Sequence, residues 1–303
     1  MRPDGDQRLE RAKLALEGLS VGDAFGDRFF GSPDAVESLI ASRAAPGSPW
    51  PYTDDTEMAL GVLEVLEACG RIDQDRLAAV FARRYRARPD RGYGGTAHRI
   101  LREIGEGVPW REVSSAVFSG MGSKGNGGAM RAGPLGAYFA DDPAALIHEA
   151  RASGEVTHAH PDGQAGAIAV ALAAAWAWEN RARRGEDVHR ELLEFVVGHM
   201  PDGETRAGIA KALSLPAHAS VRLAVSALGN GSQVSSADTV PFALWCAAHH
   251  LDDFVEAMWT TVSGLGDRDT TCAIVGSIVV LATDRQSIPE EWTRSRETLA
   301  FTE

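Results

Sequence analysis

Apolar residues recur along most of this chain at helical spacing. Leu9, Ala12, Leu16 and Leu19 fall at i, i+3, i+7 and i+10, and the theme continues through Leu60, Leu63 and Leu66 and again through Leu77, Val80 and Phe81. Such spacing puts the apolar side chains on one face of a 3.6-residue helix. Start and stop signals agree: Asp142-Pro143 sets a capping carboxylate before a proline at the first helical position, and Gly229-Asn230-Gly231 is a strong stop. The pattern predicts about a dozen helices. Alternating Val/Ile/Thr-rich segments bounded by tight turns, which would mark strands, are missing, so the fold class reads as all-α. The longest apolar run, from Ala165 to Trp178, is mostly alanine. It is too short to span a bilayer and reads as a buried central helix.

Composition fits that picture. Of 303 residues, 44% are apolar, 24% charged and 7% aromatic, the proportions of a globular protein. No internal repeat or Pro/Gly/Ser linker divides the chain, so one domain over residues 1–303 is expected, with the Gly-rich loops at 88–95 and 119–128 gathered at a site. Thirty Lys and Arg against 42 Asp and Glu give a net charge of −12. Nucleic acid and anionic membrane surfaces select clustered cations, so neither is an expected partner. Cys69, Cys246 and Cys272 stand isolated in apolar patterns, which suits a reducing compartment rather than a disulfide framework or zinc knuckle. The polar start, Met1-Arg2-Pro3-Asp4, lacks a secretory apolar core, and a cytoplasmic location is expected.

Candidate chemistry concentrates in two acidic clusters, Thr53-Asp54-Asp55-Thr56 and Asp267-Arg268-Asp269-Thr270. Each offers two carboxylates and a hydroxyl, the all-oxygen set that hard cations such as Mg²⁺ prefer. Each also fits a plain helix start. Asp54 followed by Glu57 is a capping-box pattern, although capping would leave Asp55 without a role. At the second cluster, an extended Asp-x-Asp turn would point both carboxylates the same way at the mouth of a helix from Thr270 to Leu281. A calcium loop opening at Asp267 is excluded, because Cys272 and Ile278 occupy the positions that need Gly and Glu. Between the clusters, the segment from Gly122 to Arg131 places four glycines before an expected helix, and exposed N–H groups there would cradle a phosphate or diphosphate. It is neither a P-loop nor a dinucleotide fingerprint. Thr157-His158-Ala159-His160-Pro161 offers two histidines without a third ligand. That is poor zinc chemistry and better suits one hydrogen-bonding or stacking His at a loop end.

Taken in order, Gly18-x-x-x-Gly22-Asp23-Ala24-Phe25-Gly26, Tyr52-Thr53-Asp54-Asp55-Thr56, Arg91-Gly92-Tyr93-Gly94, Gly125-Asn126-Gly127-Gly128-Ala129-Met130-Arg131, Thr157-His158 and Gly266-Asp267-x-Asp269-Thr270 resemble the motifs of the ADP-ribosylglycohydrolase family. That family includes ADP-ribosyl-acceptor hydrolases and dinitrogenase reductase-activating glycohydrolases. The likeness covers about residues 10–285 and implies an all-α orthogonal helical bundle. It also implies a binuclear Mg²⁺ centre held by Thr53, Asp54, Asp55, Asp267, Asp269 and Thr270. The implied activity is hydrolysis of the bond from C1 of the distal ribose of ADP-ribose to an acceptor on a protein side chain or a related compound. Gly94, Ser123, Gly125, Asn126, Gly127, Met130 and His158 are the implied substrate-binding residues.

Many relatives carry an acidic residue where this chain has Phe30, which leaves Asp55, Asp27 and Asp90 as candidates for proton transfer. The same departure keeps open a second reading, an ADP-ribose-binding relative with little or no hydrolase activity. Arg268 stands where a smaller residue is usual; it would pair with a substrate phosphate or neutralise a carboxylate. Lys124 is a second cation beside the expected diphosphate.

Overall fold

The computed structural model of the chain describes residues 5–183, 185 and 187–301. Sixteen α-helices run through them: α1 (Gly5–Asp27), α2 (Pro33–Ser42), α3 (Asp54–Cys69), α4 (Gln74–Ala87), α5 (Gly95–Gly105), α6 (Trp110–Gly120), α7 (Gly133–Tyr138) and α8 (Pro143–Glu155), then α9 (Pro161–Glu179), α10 (Val188–His199), α11 (Glu204–Ala212), α12 (Val221–Leu228), α13 (Ser236–His249), α14 (Phe254–Ser263), α15 (Arg268–Thr283) and α16 (Glu290–Ser295). Among the described residues there is no strand, only the isolated bridges Trp50–Arg296 and Gly125–Ser235. The fold class is therefore the all-α one that the periodicity predicts. The count exceeds a dozen because elements such as α7 and α16, six residues each, are too short for a period to register.

The local signals act as the sequence suggests. Asp142 accepts a hydrogen bond from Ala145 N–H at 3.2 Å at the head of α8, and α12 ends at Leu228, before Gly229 at φ +89°. The alanine-rich run lies within α9, which is buried along almost its whole length against α7, α8, α10, α13 and α15. No helix of the described residues is long and apolar enough to cross a membrane.

The contact that sets the site is the one between α1 and α15, the most extensive helix pair in the molecule. Gly18, Gly22 and Gly26 make one stripe of α1 along which the two backbones touch. A methyl at Gly22 would sit 2.2 Å from the Cys272 carbonyl oxygen, and one at Gly26 2.2 Å from that of Arg268. Only glycine permits this approach. Beyond the stripe, Phe25 and Phe29 enter an aromatic cluster with Trp50, Trp259 and Trp292, in which Phe25 stacks on Trp292 at 4.6 Å. Aromatic pairs of this kind contribute roughly 0.5–1.5 kcal/mol beyond their buried area. They fix the end of α1 and the extended segment leading to α3.

Candidate functional site

Helix α3 starts where Thr53, in extended conformation, accepts Asp55 N–H on its own Oγ1 at 3.3 Å, the usual work of a capping threonine. The capping box between Asp54 and Glu57 does not form. Asp54 is already the first helical residue, and Glu57 pairs with Arg84 at 2.8 Å. A second cap comes from outside the helix: Asp23 of α1, fully buried, accepts Thr56 N–H at 3.1 Å. Both carboxylates of the Asp54-Asp55 pair are thus relieved of capping.

At the other cluster the helix begins earlier than the extended-turn reading expects. Asp267 holds the N-cap position, while Asp269 and Thr270 lie in the first turn of α15. The Asp267 side chain makes no capping bond; its Oδ2 accepts instead from Asn126 Nδ2 at 2.6 Å, and the same amide nitrogen donates to Thr239 Oγ1 at 3.0 Å. The clusters meet at Asp55. Its Oδ2 lies 3.4 Å from Thr270 Oγ1, a hydroxyl 215 residues away, and 3.1 Å from Thr53 Oγ1.

Asp23, Asp54, Asp55 and Asp269 crowd a space with little positive charge, and their carboxyls are all raised above the usual range. Burial, with the charge of Asp23 next, pushes Asp54 up to about 7. Burial pushes Asp23 itself up to about 6, against four hydrogen bonds that pull it down. Asp55 and Asp269 are raised well above the usual carboxylate range, first by burial and then by neighbouring carboxylates. The nearest buried cation is Arg131, whose guanidinium is spent on Gly127 O, Ser153 O and Thr157 Oγ1 and whose own pKa burial lowers to about 9.

Among the described residues, no three His, Cys, Asp or Glu side chains close on one point as a ready-made metal cage. A divalent ion here would therefore draw on threonine hydroxyls as well as carboxylates. The donor chemistry suits that: the set is all oxygen, and Asp55 Oδ1 and Asp269 Oδ1 are buried without a hydrogen-bond partner. A buried charged oxygen left unpartnered is costly unless a cation meets it.

Asp54, Asp55, Asp267, Asp269 and Thr270 form part of the wall of a cavity of about 770 Å³, a size suited to a small organic ligand. The two Gly-rich loops meet there, bringing Gly94, Ser123, Gly125, Asn126, Gly127, Met130 and His158 to the same wall. The glycine segment differs from its expected form in one respect. It opens not onto a full helix but onto a single 3-10 turn, Asn126–Gly128, and then the six-residue α7, so an anion would meet loop N–H groups without a helix dipole.

His158 is held by Thr157, whose hydroxyl accepts from Arg131 and lies 2.7 Å from His158 Nδ1. With Nδ1 receiving the threonine proton, the ring proton sits on Nε2. Burial and Arg131 lower the ring's pKa to about 3, so it is neutral near pH 7. His160 is separate in role, capping α9 through Nδ1 at 3.1 Å from Asp162 N. Lys124 reaches Glu204 at 3.2 Å across the cavity rim.

Asp27 and Asp90 lie elsewhere. They line an adjoining space of about 570 Å³ that shares Gly92 with the main cavity and also has Thr53 on its wall. Phe30 is 51% exposed, with the Arg268 guanidinium over its ring at 4.9 Å, and Arg268 donates to Phe29 O at 2.7 Å. Phe30 and Arg268 thus rest on each other, and among the described residues Arg268 forms no ion pair with a carboxylate.

Sequence reasoning missed a role for Asp23 within Gly22-Asp23-Ala24-Phe25-Gly26, and it missed the exposed Phe118, Met121 and Val234 on the cavity wall. Phe118 and Val234 adopt φ of +51° and +54°. No periodicity announces residues in that conformation; the signal available was their position beside the glycine segments.

Comparison with known proteins finds relatives along nearly the whole chain. A human protein, ADP-ribosylhydrolase ARH3, is 31% identical over 95% of this chain and 90% of its own length. The ADP-ribosyl-[dinitrogen reductase] glycohydrolase of Rhodospirillum rubrum is 27% identical over 93% and 89%. A solved chain described as an ADP-ribosylglycohydrolase-related protein complex shares the fold, with a TM-score of 0.64 at 23% identity over 96% of this chain and 94% of that one. The family model for ADP-ribosylglycohydrolase matches residues 4–301, and the chain belongs to that family.

Proposed function

We propose that this chain is a Mg²⁺-dependent hydrolase that cleaves the bond between C1 of the distal ribose of ADP-ribose and an acceptor. One observation carries the reading. Acidic residues from opposite ends of the chain meet around Asp55 on the wall of a ligand-sized cavity, with two buried carboxylate oxygens lacking any partner. Thr53, Asp54, Asp55, Asp267, Asp269 and Thr270 would hold two ions. Bound there, Mg²⁺ supplies Lewis-acid polarisation of the ribose hydroxyls and of the attacking water.

The chain's own groups do the rest. Gly125 N–H and Asn126 N–H are held by Ser123 Oγ and Val234 O, so the loop from Ser123 to Gly127 receives the diphosphate through its remaining N–H groups, with the neutral His158 beside it. Phe118, Met121 and Val234 give a flat base an apolar surface. Of the three candidate carboxylates, only Asp55 faces the main cavity, and we assign it the proton transfer. Asp27 and Asp90, across Gly92, face the side from which an acceptor would leave.

A second reading has its own support. Phe30 brings no acidic group and is held outward by Arg268, which suits a binding protein with slow or no turnover. Calorimetric titration of ADP-ribose with and without Mg²⁺, followed by release assays on Arg-linked and Ser-linked ADP-ribosylated protein, separates the two. Mg²⁺-dependent release is the expected result, and tight binding without release from either linkage would transfer the case to the second reading.

A further inference from the structure

Asp23 lines neither cavity, yet every hydrogen bond its side chain makes goes to the first turn of α3. Oδ1 accepts Thr53 N–H at 3.2 Å and the Thr53 hydroxyl at 2.8 Å; Oδ2 accepts Thr53 N–H at 3.0 Å, Thr56 N–H at 3.1 Å and the Thr56 hydroxyl at 2.5 Å. A threonine hydroxyl has one proton and two lone pairs. With its proton on Asp23 and one lone pair on Asp55 N–H, Thr53 Oγ1 keeps a single lone pair free. The other acceptor within reach of that proton is Asp55 Oδ2, at 3.1 Å. A proton there would occupy an oxygen that faces Thr270 and the opposite cluster.

We propose that Asp23 is a positioning residue for a divalent-cation site: by taking the Thr53 and Thr56 protons, it leaves Thr53 Oγ1 and Asp55 Oδ2 as pure acceptors. The inference rests on the metal-dependent reading of the function. Asp23 does not touch the ion. It works through Thr53, as partners behind metal ligands generally do, and their loss commonly weakens metal binding about 10–100-fold.

The test is Mn²⁺ titration of the full chain, read by calorimetry, with circular dichroism to establish folding. The parent protein comes first, since absence of divalent binding there would overturn the metal-dependent reading itself. If the parent binds, Asp23→Asn is expected to raise the Mn²⁺ Kd by about 10–100-fold. Asn offers Thr53 one acceptor oxygen in place of two and adds donors of its own. Placed on a Thr53→Ala background, the same change is expected to add almost nothing, because the residue it acts through is gone. An unchanged Kd in folded Asp23→Asn, or a full effect that persists without the Thr53 hydroxyl, would overturn the inference while leaving the cation site standing. Should Asp23→Asn fail to fold, Thr56→Val removes the 2.5 Å contact that fixes Asp23 and keeps the backbone cap. A rise of about tenfold in Kd is expected there, and an unchanged value in that folded variant would equally refute the role of Asp23.

Discussion

The two acidic clusters look alike in sequence and are built differently. The Asp54-Asp55 end is set by its own helix, by α1 and by one backbone bond from the 88–95 loop: Thr53 caps, Asp23 caps again, and Arg91 O accepts Asp54 N–H at 2.7 Å. The Asp267-Asp269 end has no side-chain cap and depends on Asn126, part of the glycine segment that lines the cavity. One half of the site is therefore held through its backbone, and the other through a carboxylate oxygen bonded to the glycine segment. The other half couples whatever binds the carboxylates to whatever binds the loop.

Removing a carboxylate from either half is the largest blow and tests whether both halves belong to one site. Asp54→Ala and Asp269→Ala are each expected to lower kcat/KM by about a thousandfold or more, a barrier increase of about 4 kcal/mol. Steady-state release of ADP-ribose measures this, and a near-normal rate in either variant would separate that half from the chemistry. Asn126→Ala probes the difference itself. It leaves Asp267 without its 2.6 Å donor, so both Mg²⁺ and ADP-ribose affinities should fall, by about 10–100-fold. By reciprocity, the Mg²⁺-induced gain in ADP-ribose affinity should shrink with them. Calorimetry in both orders of addition checks it, and an unchanged coupling would make the two halves equivalent.

Protons give the smallest effect. Asp23 and Asp54, raised to about 6 and about 7 from an ordinary 3.8, bind protons more readily folded than unfolded. Their contribution favours the fold below about pH 4 and is lost as pH rises through about 6–7. Thermal melts of metal-free protein should show Tm falling over that range, and saturating Mg²⁺ should flatten the fall by replacing protons as counter-charge. A metal-free Tm that is level from about pH 4 to 7.5 would remove the crowding argument.

Helices were legible because their periods are local: α9 can be read from its apolar run and the head of α8 from its cap residue. The six oxygen-bearing residues at the clusters were legible by type, since Thr and paired Asp are conspicuous before an apolar run. What remained hidden depends on contacts across the chain. The Glu57 side chain fitted a capping box until Arg84, twenty-seven residues on, took it. The glycine segment suggested a helix N-terminus because four glycines carry no information on the length of the element they lead into. Arg268 pointed either to a phosphate or to a carboxylate, and the backbone oxygen of Phe29 and the ring of Phe30 claimed it.

The glycine stripe that lays α1 on α15 also has a meaning for synthesis. The frame helix leaves the ribosome long before its partner, which brings half of the acidic residues. Domains form as units during translation, but no early fragment of this chain contains both walls of the cavity. Until about residue 283 has emerged, α1 carries a strip of bare backbone. A nascent chain thus has only one wall of the cavity, and a chain truncated before α15 would carry the Asp54-Asp55 cluster without the residues that face it.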